Sequence, residues 1–470
     1  MRKLKRRNAP SNDEDDRLPL YDSSTATSSN GPSSRAKQRK RRSTGPCWPW
    51  ARLVMVSGIV LTVYCGWIWW KAPDHKPPIP PILHRAFPYK RDWYLPRIRD
   101  DVKLEEWDGP QLIHVVHTRF MQEQPSLTSL GRARLGLFRV FCLPTMIEQT
   151  TNHFLWIIKT DPDLDAEIMQ VLVDLVSPYP NFFLVASNVN FRINEDFPGA
   201  WRDGAQARDL ALSRTYTGNQ TLLEVAMALE AQLPILETRL DADDGLHVEF
   251  LEQMQYQATK AFRQSALKWM YWCTRRHMEW HWIDEVPSSF EHDSPLGQKI
   301  VEYGALQGVQ HSNLCITAGY TVGFPVGVSE PDVPVYPHQD LVSMIRKLPS
   351  EKACGLKPSE KCLQFVEEHI FEAVRSRTHT SAGMLKVRLE QDGLVNTPWL
   401  SYAYWDLLCK SFEIQRMQVR WMNEYLTSHI IDIARDNLLG QCTLGHSCKD
   451  SAKEELAKVI EKYRNRTTSG

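Results

Sequence analysis

From Gln111 onward the chain alternates two hydrophobic rhythms. Short apolar runs bounded by polar or turn residues read as buried strands: QLIHVVHTRF, HFLWIIKTD, NFFLVASN and PILETRLD. Between them the apolar residues recur at helical spacing. In LDAEIMQVLVDLVSPYP, Ile168, Val171, Leu172, Leu175 and Val176 share a face, and Pro178 helps end the helix. NQTLLEVAMALEAQLP reads as another helix, stopped by Pro234 at the latest, and HVEFLEQMQYQATKAF as one more. LGRARLGLFRVFCLPTMIEQTT, residues 130–151, begins as a helix that Pro144 interrupts or ends. Alternation of this kind predicts an α/β fold, with a mostly parallel central sheet and flanking helices. Function in such sheets gathers outside the C-terminal ends of the strands.

The later chain is less regular. ALKWMYWC and HMEWHWID read as aromatic-rich strand or edge segments. EEHIFEAVRSR reads as helical, as does the long run from Asp406 to Leu439. SAKEELAKVIEKYR predicts an amphipathic C-terminal helix. No internal repeat is visible.

The first hundred residues follow other rules. Residues 1–46 are polar, basic and rich in Ser, Pro and Asn, the composition of a disordered tail. Residues 51–70, ARLVMVSGIVLTVYCGWIWW, hold one charge, Arg52, and suit a bilayer core of roughly 30 Å. Trp48, Trp50, Trp67, Trp69 and Trp70 gather at its ends as an aromatic belt would. Residues 47–70 are thus expected to form one N-terminal transmembrane signal-anchor helix, and proline-rich residues 71–105 a semi-rigid stem. Residues 106–470 form the expected main domain. Arg35, Lys37, Arg39, Lys40, Arg41 and Arg42 precede the span, so the positive-inside rule puts the N-terminus in the cytosol and residues 71–470 in a lumen.

A lumenal position permits disulfides. Cys142, Cys273, Cys315, Cys354, Cys362, Cys409, Cys442 and Cys448 follow the span, an even number that allows complete pairing, with 354/362 and 442/448 close enough for local loops. Asn219-Gln-Thr and Asn465-Arg-Thr are sequons for glycans. Net charge is +0, which offers no electrostatic bait for nucleic acid. The oligomeric state is not legible.

The candidate chemistry lies in ETRLDADDGL, where Asp241, Asp243 and Asp244 follow a predicted strand. Hard carboxylate oxygens at Asp-X-Asp spacing suit Mg2+ or Mn2+ held together with a diphosphate. An acidic triplet by itself is as readily a solvated loop. No glycine-rich dinucleotide or phosphate loop opens any βα unit, and no G-x-S-x-G elbow is present. HMEWH lacks the Glu after its first His that a zinc peptidase helix carries. Trp269, Trp280 and Trp282 suit core packing better than stacking on a sugar.

Five segments carry a family resemblance: HTRF (117–120), LFRVFCLPTMIEQTTNHFLWII (137–158), TRLDADDGL (238–246), CITAGYT (315–321) and RTHTSAGM (377–384). On them the chain resembles the putative rhamnosyltransferase family and, more generally, the GT-A class of nucleotide-diphospho-sugar transferases. The tail, span and stem look like those of a Golgi type II transferase, which implies a single-pass protein of the Golgi or ER. The resemblance implies transfer of a sugar from a nucleotide-diphosphate donor to a glycan or other hydroxyl acceptor. A noncatalytic lumenal carbohydrate-binding protein on the same fold is the alternative. Asp241 and Asp243 are the implied metal and nucleotide residues, with His379 as a further metal ligand. Arg119, Arg377 and Ser381 are candidate nucleotide contacts. Asp161 and Asp163 fit a helix start better than a nucleotide contact, and Arg239 fits support of the acidic loop by ion pairing. An inverting reaction needs a base to take the acceptor proton, for which Asp244, Glu285 and Asp293 are candidates. Asp244 is equally a candidate helix cap. Neither the sugar nor the stereochemistry follows from these residues.

Overall fold

The computed structural model describes residues 92–187, 209–264, 267–285, 301–310, 314–328, 338–348, 354–355, 362–378, 380, 402–443 and 450–467. The predicted span 51–70, Asp293, His379 and Ser381 lie outside these residues. Among the described residues no helix is long and apolar enough to cross a membrane.

The predicted βα units form as expected. Strands β1 (Ile113–Phe120), β2 (Leu155–Thr160), β3 (Phe182–Ala186), β4 (Arg214–Thr215) and β5 (Ile235–Arg239) belong to one sheet. A two-residue strand β6 (Gly245–Leu246) follows, then β7 (Met270–Thr274), β8 (Arg276–His281), β9 (Ala305–Gln310), β10 (Tyr320–Phe324), β11 (Leu363–Val366) and β12 (Ala373–Arg377). The eight-stranded sheet runs β11-β7-β10-β5-β1-β2-β3-β4, and a four-stranded sheet runs β6-β12-β8-β9. β3, β2, β1 and β5 are parallel neighbours, whereas β10 lies antiparallel between β5 and β7. The sheet is therefore mixed, not mostly parallel. The β3-β2-β1-β5 block is built by helical crossovers, β10 arrives without one, and β11 lies parallel to β7 at the far edge.

Helices α1 (Thr128–Leu137), α2 (Leu143–Ile147), α3 (Ala166–Val176), α4 (Gln220–Ala228), α5 (Phe250–Gln264) and α6 (Leu341–Arg346) connect the strands. Helices α7 (Tyr402–Phe412), α8 (Arg416–Thr443) and α9 (Asp450–Thr467) end the described chain. α3 starts where the Asp165 carboxylate accepts from the backbone N–H groups of Glu167 and Ile168, and α4 starts on Asn219 in the same way. The predicted C-terminal helical run breaks at Glu413, which adopts a φ of 52°. EEHIFEAVRSR is not a helix. Its second half is β12, because β6 and β8 offer that segment a backbone ladder on either side. Tertiary pairing overrides a weak helical pattern there.

Pro144 does not end its helix. Phe138–Cys142 forms a π-helical turn, in which the Leu143 N–H bonds to the Phe138 carbonyl. Proline falls in the first turn of α2, where its missing N–H costs little. The wider turn also delivers the Phe141 carbonyl toward β6. A Cβ on Gly245 would lie 2.5 Å from that oxygen.

The core between sheet and helices contains Trp156, Phe138, Phe120 and Phe183, all fully buried. Phe138 stacks on Trp156 at 5.6 Å between ring centres. Trp269, Trp280 and Trp282 are core residues too. The Trp280 indole donates to the Tyr303 carbonyl (2.8 Å) and that of Trp282 to the Thr427 hydroxyl (3.1 Å). Disulfides join Cys273 to Cys315 and Cys354 to Cys362. The first closes a separation of 42 residues, which in chain-entropy terms stabilises the fold by roughly 4 kcal/mol. Complete pairing is not reached, because Cys142, the last residue of the π turn, is a buried free thiol.

Two predictions follow from this packing. Gly245→Ala should lower stability by about 1–3 kcal/mol through overpacking against Phe141, read as a shift in denaturant midpoint; an unchanged midpoint would contradict the close approach. Glu230, after α4, lines a small void with Ile113, Val115, Leu155 and Ile157. Burial pushes its carboxyl up to about 8 from 4.5. Between those values the folded state holds more protons than the unfolded one, so this group's contribution to stability falls as pH rises. Glu230→Gln should flatten that fall, gaining on the order of 1–2 kcal/mol at pH 8 relative to pH 5 after discounting for partial exposure. Parallel pH–stability curves for the two proteins would count against it.

Candidate functional site

The acidic loop joins the two sheets. Its first residue, Leu240, donates its N–H to the His117 carbonyl at the C-terminal end of β1 (3.0 Å). Its last runs into β6, which pairs with β12. The Asp244 N–H bonds to the Asp241 carbonyl (3.1 Å), so the three carboxylates sit on one tight turn. Behind it the Thr145 hydroxyl accepts from Leu246 N (3.2 Å), and Gln149 donates to the His247 carbonyl (2.9 Å). The turn is thus pinned by α2 and the two residues after it.

The three carboxylates differ in environment. Asp241 is exposed, Asp243 is half-buried and Asp244 is 3% exposed. Asp244 accepts from the Ser376 backbone N–H (3.2 Å) and lies 3.5 Å from Arg375 Nε. The Ser376 hydroxyl donates to Asp243 (3.3 Å). Burial, then the charge of Asp243, raises Asp244 well above the ordinary carboxyl range, against the pull of Arg375. Asp243 is raised by burial and by Asp241, and lowered in part by Arg134. Arg134 comes from α1 and is braced by Gln124 (2.9 Å) and the Thr380 carbonyl (3.0 Å). Asp244 is not a helix cap. It is packed under β12.

A basic rim stands beside this turn. His117, Arg119 and Lys159 mark the C-terminal ends of β1 and β2, and Arg239 ends β5. Arg119 is exposed and opposite Lys159 in the ladder. Lys159 is fully buried against Asp209, and burial lowers it to about 8. His117 is pushed well below its usual value by burial, then by Lys159, Arg239 and Arg119. The Arg239 guanidinium lies 5.8 Å over the Tyr320 ring, a cation–π contact rather than the expected ion pair with the loop. Asp161 accepts from Glu123 N (3.1 Å) and Asp163 N (2.9 Å), closing the edge after β1, while Asp165 caps α3.

Other expected residues stand elsewhere. Arg377 faces Glu279, bonding its carboxylate through Nε (2.8 Å) and Nη2. His277 and His281 approach the same carboxylate at 3.2 and 3.4 Å. HMEWH is strand β8, so its alternate residues share one face around a buried ion pair. Glu285 is exposed and pairs with Lys462 of α9 (3.3 Å). Arg134, Arg375 and Ser376 escaped the sequence reading. β12 reads as a helix in one dimension, and Arg134 looks like any basic residue of an amphipathic helix.

A divalent cation fits this turn in one way. Asp241 and Asp243 repel one another, and Arg134 offsets only part of that repulsion. Among the described residues no group of three His, Cys, Asp or Glu side chains forms a metal cage. Two carboxylates with the remaining oxygens drawn from ligand phosphates is the usual magnesium arrangement.

Residues 130–195 match the family model described as "Putative rhamnosyl transferase". That segment supplies α1 with Arg134, the π turn, α2 and strands β2 and β3, and so is similar to a glycosyltransferase scaffold. No curated protein sequence matches the chain significantly. Among solved structures, similarity extends to TarS 1-349 of S. aureus and to the same fragment in complex with UDP. Both are 10% identical, with TM-scores of 0.24 and 0.23, over 75% of this chain and 91% of the other. Likeness at that level carries no weight for the site.

Arg377→Ala should leave the buried Glu279 carboxylate with only His277 and His281 beside it and cost about 3 kcal/mol, measured by denaturant unfolding. A stable variant that instead loses nucleotide affinity would return Arg377 to the ligand site.

Proposed function

We propose that the protein is a metal-dependent glycosyltransferase that moves a sugar from a nucleotide-diphosphate donor to a hydroxyl acceptor. The observation that carries this reading is the acidic turn at the C-terminal end of β5, where Asp241 and Asp243 remain accessible while Asp244 is tied down. The family match over the adjoining scaffold supports it.

In this reading Asp241 and Asp243 hold Mg2+ or Mn2+ together with the donor diphosphate. The cation supplies neutralisation of charge on the departing nucleoside diphosphate. Arg134, braced by the Thr380 carbonyl, opposes in part the burial and the Asp241 charge that raise Asp243, so its positive charge stands beside the turn before ligand arrives. Arg119, with Lys159 behind it, gives the nucleotide end an electropositive edge. We further infer a signal-anchor at residues 47–70, a type II orientation in the Golgi or ER, and a glycan acceptor. The basic tail, the Trp-flanked apolar run and the proline-rich stem support that placement.

The test is nucleotide release from UDP-, GDP- and dTDP-sugars by the full-length protein in detergent. Turnover should require divalent metal, and Asp241→Asn with Asp243→Asn should reduce it at least about a hundredfold. Equal turnover in chelator, or by the double variant, would sink the proposal.

A further inference from the structure

The turn carries three carboxylates, and among the described residues the guanidinium groups of Arg134 and Arg375 act on them. Arg134 is spent: its Nη1 bonds to Gln124 and its Nη2 to Thr380. Arg377, expected from sequence to meet a diphosphate, is spent on Glu279. Arg375 differs from both. It extends from β12 between the acidic turn and Glu279, its partner in the β8 ladder. Its only charged contact within ion-pair distance among the described residues is Asp244, at 3.5 Å. Arg375 Nε is buried and has no hydrogen-bond partner among the described residues. The side chain is 18% exposed, so the guanidinium is sunk in the wall of the site with an open edge.

A guanidinium carries five N–H donors in a planar fork that matches phosphate oxygens. Holding one buried beside three carboxylates, with Nε unbonded among the described residues, leaves directional capacity unused. The surrounding charges keep it a cation: Asp244, Glu279, Asp241 and Asp243 outweigh burial. His338 faces the same group from the segment before α6 and is lowered to about 4 by burial and by Arg375 and Arg239, so it adds no competing charge near neutral pH.

We propose that Arg375, rather than Arg377, is the residue that binds the diphosphate of the donor, turning from its loose pairing with Asp244 to bond phosphate oxygens. This rests on the reading of the acidic turn as a donor site. It assigns Asp244 a resting role, that of holding Arg375 in place until phosphate arrives. The Ser376 N–H stays on Asp244 Oδ1 when the guanidinium leaves Oδ2.

The experiment measures binding of inorganic pyrophosphate to the full-length protein by calorimetry, with Mn2+ present, alongside Mn2+ binding alone. Arg375→Met should weaken pyrophosphate by about tenfold to a hundredfold, the loss of charge-assisted hydrogen bonds, while Mn2+ alone binds as well or better. Arg375→Lys, which keeps the charge and the fold but loses the fork, should weaken it less than Arg375→Met and still measurably. If Arg375→Met does not fold, the lysine variant decides: unchanged pyrophosphate affinity overturns the assignment. Parallel loss of Mn2+ affinity in either variant also overturns it, because Arg375 would then only position the turn. If Asp241→Asn with Asp243→Asn abolishes pyrophosphate binding while Arg375→Met does not, the assignment falls and the donor site stands. No pyrophosphate binding by the unaltered protein overturns both.

Discussion

The arrangement depends on burying a carboxylate at the seam of two sheets. Asp244 sits where β5 of the large sheet hands the chain to β6 of the small one. An ionised group there is costly unless neighbours satisfy it. β12 offsets part of that cost with a backbone N–H from Ser376 and a guanidinium from Arg375. Once that carboxylate is fixed, its neighbours in sequence have little freedom. Asp243 meets the Ser376 hydroxyl and the field of Arg134, and Asp241 is left facing outward. The accessible acidic pair is thus a by-product of anchoring the buried one.

The same constraint explains the second sheet. β12 carries Arg375 and Arg377 on alternate positions, and Glu279 of β8 lies beside both. Charges of opposite sign therefore alternate from the acidic turn through Arg375 and Glu279 to Arg377. Buried ion pairs add little net stability, but they penalise any shift in strand register, since a slip of one residue turns every side chain to the other face. In the four-stranded sheet this alternation adds to the buried apolar residues Met278, Trp280, Leu306 and Val374 in fixing the alignment.

Much of this was legible from sequence. The strands at HVVHTRF, LWIIKTD, FFLVA and ILETR were visible because each is a compact apolar run followed by, or set between, stretches of helical period. The acidic turn was visible because its residues are contiguous. What one dimension hides is anything defined by a partner. EAVRSR becomes a strand only between β6 and β8, and with that change Arg375 and Ser376 enter the site while Arg377 leaves it. Arg134 sits in an ordinary helical pattern and gains meaning only from the fold that brings Asp243 near. Glu285 is acidic and downstream, which qualified it by type, yet it meets Lys462 at the surface.

The π turn at Phe138–Cys142 makes chain length a harder constraint than composition. Arg134 before it serves the acidic turn, and Thr145 after it bonds the strand that follows. Each residue of an α-helix advances about 100° around the axis. Deleting one residue inside the π turn would restore ordinary helical bonding and yet rotate everything beyond it by that angle, carrying Thr145 and Gln149 away from their partners. The segment works as a keyed shaft: side chains along it can be exchanged for others of similar bulk, but it cannot be shortened by a single notch and still seat both ends.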